Sequence, residues 1–198
     1  MIGNSGPLST LAVFVIVLTT LFLLLNQNWR WSITALVIQY LAVFVLTAQV
    51  WPFGLAAAKL VAGWMAGAVL SASQPPAQPA VEDQGWGATF VFRLLAAVLV
   101  WILAFTLSPM VVNIIPLSPS LVTGTVLLIG MGLLHLGMTT RPMRVLAGLL
   151  TTLSGFELIY AAVESSVLVA GLQAVVTLGL SLVGAYLLET SADKEGAA

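Results

Sequence analysis

Apolar residues come in long unbroken runs, without the strict alternation of a half-buried strand or the polar punctuation of a soluble amphipathic helix. Seven runs stand out, at 7–26, 31–51, 53–72, 89–107, 119–138, 144–163 and 166–188. A spanning helix needs about 20 predominantly apolar residues, and each run is close to that length. The pattern predicts an all-α, polytopic integral membrane bundle of seven transmembrane helices. A transmembrane β-barrel would show alternating segments of about ten residues, and these runs do not alternate. The first run is long and has no basic segment before it, so it reads as a retained helix and not as a cleaved signal.

The punctuation between runs is brief. Asn26-Gln27-Asn28 separates the first from the second, and Trp51-Pro52 the second from the third. Trp29, Trp31 and Trp51 fall at run ends, where amphipathic rings favour the membrane interface. Residues 73–88 carry Pro75, Pro76 and Pro79 followed by Glu82-Asp83, and predict an extended loop. Residues 108–118 read SPMVVNIIPLS, a Pro-flanked apolar patch too short to span, expected to lie in the interface or to re-enter. The polar tail 189–198 is expected to be disordered. The whole of 1–198 therefore reads as a single transmembrane domain, with no room for a soluble one.

Composition narrows the function. The chain is 60% hydrophobic and 7% charged, with a formal net charge of −1. Such a balance argues against nucleic acid as a partner. No cysteine is present, which excludes disulfides, thiolate metal sites and iron–sulfur ligation. The scattered carboxylates and one histidine give no metal-ligand spacing, and no cofactor is implied. Arg30, Arg93, Arg141, Arg144 and Lys194 all fall on one side of a seven-span arrangement. The positive-inside rule makes that side cytoplasmic, with the N-terminus outside and the C-terminus inside. The setting expected is a prokaryotic inner membrane.

Three polar residues lie well inside runs. Lys59, Glu157 and Gln173 each sit six or seven residues from the outer end of their span, roughly 10 Å deep at 1.5 Å per residue. Lys59 shares a face with Gly63 and Gly67, a small-xxx-small spacing that marks close helix packing. Ser154, Glu157, Ala161 and Glu164 form one stripe of the sixth span. Gln173, Thr177 and Ser181 form one stripe of the seventh, and the short turn between these spans lets the stripes face each other. An ionisable residue inside the membrane is a functional candidate by default. Glu157 is the centre of a candidate proton path, with Lys59, Gln173, Glu164 and His135 as further candidates. Against this stand a fixed Lys59–Glu157 ion pair and, for Lys59, a side chain that snorkels to the interface. His135 lies near the cytoplasmic end of the fifth span, at a depth similar to Arg93. One histidine with no nearby carboxylate on that side reads first as an interfacial polar group.

The stretch 121–188, with Gly155-Phe156-Glu157 at its heart, resembles the small K-type membrane subunit of respiratory complex I. It is also similar to the related C-type subunit of multisubunit cation/proton antiporters and the E-type membrane subunit of group 4 hydrogenases. The family pattern is an apolar helix, a basic turn, a helix carrying Gly-Leu-Glu and a third helix rich in Gly-Leu-Ala-Leu. Here the equivalents are the fifth span, Arg141-Pro142-Met143-Arg144, Gly155-Phe156-Glu157 and Gly179-Leu180-Ser181-Leu182. The resemblance implies that Glu157 matches the family's membrane carboxylate in a proton path. The family's second glutamate is replaced by Val175, and the first four spans have no counterpart in the three-helix subunits.

Three functions are compatible with these features. The first is a non-redox membrane subunit of a multisubunit energy-converting complex, partnered by other integral membrane subunits. The second is a structural or assembly subunit that binds partner helices, lipid or pigment. The third, an autonomous transporter, requires a multi-residue substrate site and internal symmetry that the sequence lacks. No catalytic centre of the chain's own is visible. A Lys59–Glu157 contact would strengthen the ion-pair reading, and a Glu157 turned towards a partner or a water path would strengthen proton transfer.

Overall fold

The computed structural model describes residues 6–26, 28–73, 86–114 and 117–196. These form seven helices: α1 (Pro7–Leu25), α2 (Trp29–Thr47), α3 (Phe53–Ala72), α4 (Trp86–Ile114), α5 (Pro119–Gly137), α6 (Pro142–Val163) and α7 (Val167–Gly196). All seven are long and apolar enough to cross a membrane. Backbone polar groups find no water in the hydrocarbon layer, so each run must satisfy its own hydrogen bonds as a helix.

The helix starts follow local chemistry. Proline opens α1, α5 and α6, where its missing N–H costs nothing and its fixed φ suits the first turn. Asn28 caps α2, its side-chain oxygen accepting the Arg30 amide at 3.1 Å. Inside the spans, hydroxyls turn back onto their own helix: Thr20 donates to the Ile16 carbonyl and Thr47 to that of Val43. This disposes of polar groups that have no water to bond.

The helices stand in two rows. One is α1–α2–α3 and the other α5–α6–α7; α1 packs on α5, α2 on α6 and α3 on α7, while α4 closes one end against α5 and α1. The α5–α6 seam is the tightest. A Cβ on Gly132 would meet the Thr152 backbone, one on Gly155 the Ile129 backbone, and one on Gly148 the Leu136 backbone and side chain. Small residues let the two axes approach, which substitutes for the hydrophobic drive that lipid removes. Outer faces remain apolar, as with Leu8, Leu11, Phe14, Leu18 and Phe22 along α1.

Four expectations change. Residues 108–114 are not a separate interfacial segment: α4 runs through them to Ile114 with Pro109 inside it. Ser108 and Thr106 donate to the Ala104 and Ile102 carbonyls of the preceding turn, the hydroxyl support that lets proline sit within a membrane helix. The proposed 73–88 loop is shorter at its end, since Trp86–Ala88 already belong to α4; residues 74–85 lie outside the described ones. The tail continues α7 as helix to Gly196. Trp51 stays at the end of its span but is buried against protein rather than facing lipid, its indole N–H donating to the Glu164 carbonyl at 3.0 Å. That bond ties the α2–α3 turn to the α6–α7 turn.

Candidate functional site

Where α2, α3, α6 and α7 meet, the interior turns polar. The Gly-Phe-Glu triplet shows why. Successive helical residues are about 100° apart, so the three side chains point three ways. Gly155 faces α5, where an added Cβ would meet Ile129; Phe156 is 53% exposed towards the lipid side; Glu157 is 4% exposed and points into the bundle.

Glu157 meets Lys59 there. Lys59 Nζ donates to Glu157 Oε2 at 2.6 Å, and both side chains are buried. Thr177 Oγ1 of α7 donates to the other carboxylate oxygen, Oε1, at 3.0 Å. Both carboxylate oxygens therefore have partners from different helices. The snorkelling alternative for Lys59 is excluded, because the ammonium turns inward to the carboxylate.

The polar groups continue along the membrane normal. Gln39 of α2, fully buried, donates from Nε2 to Thr151 Oγ1 at 3.2 Å. Tyr40, next along α2, places its hydroxyl beside Ser154 and within electrostatic reach of Glu157. Its ring fills the space opened by Gly63, where any Cβ would collide with it. The GxxxG face of α3 thus admits an aromatic ring of α2, and Lys59 one turn away is carried to Glu157. From Thr151 to Glu157 the seam covers roughly 9 Å. Gln39 Oε1 in this seam, and Gln173 Oε1 beyond its outer end, are buried without a protein hydrogen-bond partner, while Tyr40 Oη has the Ser154 side chain beside it. Unpaired buried polar atoms are costly and uncommon in folded proteins.

Not every candidate joins this site. Gln173 lies one helical turn outward of Thr177, and it is Thr177 that reaches the carboxylate. The stripe containing both was visible in the sequence; its contact residue was not. Glu164 is exposed at the end of α6 and contributes only its backbone carbonyl, to Trp51. His135 is buried near the other end of the bundle, in the last turn of α5. Gln39, Tyr40 and Thr151 were not anticipated. A glutamine in the middle of an apolar run was the available signal for the first of them. A cavity of about 370 Å³ lies at the start of α2, lined by Trp29, Arg30, Ile33, Thr34 and Ser71. None of the site residues lines it. Among the described residues no group of three or more histidines or carboxylates is placed to hold a metal.

No protein-family model, curated protein or solved structure matches the chain.

Proposed function

We propose that this protein is a non-redox integral membrane subunit of a larger energy-converting complex, and that its Lys59–Glu157 pair couples a proton to that complex. The observation that carries this reading is the run of buried polar atoms around the pair; the Lys59–Glu157 contact taken alone strengthens the fixed ion-pair alternative. A buried ion pair is poor evidence for stability, because apolar replacements of similar volume are often neutral or stabilising. An expensive pair kept inside a membrane span points to charge movement or to helix specificity. The buried Gln39 and Gln173 oxygens favour charge movement, since a joint made only for packing has no need of extra unpaired polar atoms on either side.

The chemistry is simple. With Lys59 charged and Glu157 ionised, the pair is neutral overall. A proton taken up by Glu157 leaves a carboxylic acid beside an ammonium, a net positive charge in a low-dielectric interior. Neighbouring helices feel that charge strongly. Gln39–Thr151 and Tyr40–Ser154 offer the approach from the basic end, and Thr177 and Gln173 the continuation outward. The basic end is assigned to the cytoplasm from Arg30, Arg93, Arg141 and Arg144.

A second reading has its own support. Both Glu157 oxygens are satisfied within the chain, which suits a fixed joint between α3, α6 and α7 in a structural subunit. The Glu157→Gln substitution separates the two. It keeps the shape and a hydrogen-bonding side chain but removes the exchangeable proton. Proton translocation by the purified complex in liposomes is expected to be lost while the subunit still co-purifies. A variant that assembles and translocates normally would leave the structural reading in possession.

A further inference from the structure

At the basic end of the bundle, three cationic or protonatable side chains are buried together. Arg93 of α4 is 9% exposed, His135 of α5 4% and Arg144 of α6 8%. Both guanidinium groups lie within electrostatic reach of the imidazole. Arg144 is engaged, with Nη2 donating to the Leu24 carbonyl at the end of α1 at 2.8 Å. Arg93 Nε and His135 Nε2 are buried without a protein hydrogen-bond partner, and Arg93 forms no ion pair with a described residue.

Two guanidinium groups gathered at a buried site repel one another, and Arg93, which has no ion-pair partner among the described residues, carries a desolvation cost that an anion would offset. The guanidinium fork matches the oxygens of a phosphate, and an imidazole N–H adds a third donor. The position suits a lipid. Arg93 stands one turn inside the apolar part of α4, which begins at Phe90. Phe92, Leu95 and Leu99 are exposed on the outer face of α4, so acyl chains can lie along that helix while the headgroup reaches round its end to the buried side that carries Arg93. Basic pockets between membrane helices are a recognised means of holding anionic headgroups.

We infer that Arg93, His135 and Arg144 form a binding site for the phosphate of an anionic phospholipid, between α4, α5 and α6. The site is separate from the Lys59–Glu157 pair and does not depend on the role proposed for it.

The test uses the full-length protein in mixed micelles, with phosphatidylglycerol or phosphatidylcholine as the probe. Native mass spectrometry reads lipid retention, and thermal unfolding reads stabilisation. Phosphatidylglycerol is expected to be retained and to raise the Tm more than phosphatidylcholine. Arg93→Gln and His135→Gln are each expected to weaken phosphatidylglycerol binding about tenfold, the loss of one charge-assisted hydrogen bond. Arg93→Lys should keep part of it, and remains informative if Arg93→Gln does not fold. The exposed Arg30→Gln serves as the control and should bind like the native chain. Equal retention by the native chain, Arg93→Lys and His135→Gln would overturn the site. Stabilisation by inorganic phosphate in phosphatidylcholine micelles, matching that by phosphatidylglycerol, would overturn the lipid assignment in favour of a soluble anion.

Discussion

Replacing Lys59 by Met is expected to destabilise the folded bundle by about 3–5 kcal/mol, the usual cost of stranding one member of a buried ion pair. The substitution keeps much of the side-chain volume but leaves Glu157 Oε2 without the ammonium that donates to it at 2.6 Å. Thr177 alone then supports a carboxylate that is 4% exposed. Replacing both partners, Lys59→Met with Glu157→Leu, should restore most of the loss, since no charge is then buried. Reversible unfolding in mixed micelles measures both. If the double variant is as unstable as the single, the pair contributes shape as well as charge balance and is not a removable charge device.

The second large effect lies in the α5–α6 seam. Gly132→Val is expected to destabilise by about 3 kcal/mol or more, at or beyond the upper end of ordinary overpacking. The reason is what the new atoms would strike. A Cβ at Gly132 comes within 2.7 Å of the Thr152 amide nitrogen and 3.0 Å of its Cα. Backbone cannot swing aside as a side chain can, so the helices must separate. Thr152 lies five residues before Glu157 on α6, and separation there would move the carboxylate relative to Lys59. Gly179→Ala is the matched control: its Cβ would meet nothing within 4 Å, and alanine is the better helix former. It should be neutral or slightly stabilising by the same unfolding measurement.

The seven apolar runs were legible because the membrane imposes one requirement on every span, about 20 apolar residues in helical form. The misreadings occur where that requirement ends. Pro109 looks like a stop in a soluble helix, yet the Thr106 and Ser108 hydroxyls help the chain continue through it. The α7 tail is polar and was expected to be disordered, but a helix already started carries on to Gly196 at little cost per added residue. Lys59 and Glu157 could be placed at one depth from span ends alone, and Lys59 on a packing face from Gly63 and Gly67. Their pairing could be posed from the sequence as an ion-pair alternative but not decided, because it depends on α2 and α6 packing face to face while α3 and α7 close the ring. Gln39 and Tyr40 went unread for a related reason. Uncharged polar residues raise little alarm inside an apolar run, and only the packing shows Tyr40 lodged against Gly63 beside the carboxylate.

The most direct measurement is proton translocation by the proposed complex, purified with the Lys59→Met and Glu157→Leu substitutions together and reconstituted in liposomes at matched assembly. Removing the pair without stranding a charge isolates its function from its stability. Translocation falling to the level of passive leak, in a complex that still holds this subunit, is the expected result. Native translocation by that assembled double variant would contradict a proton-coupling role for Lys59 and Glu157.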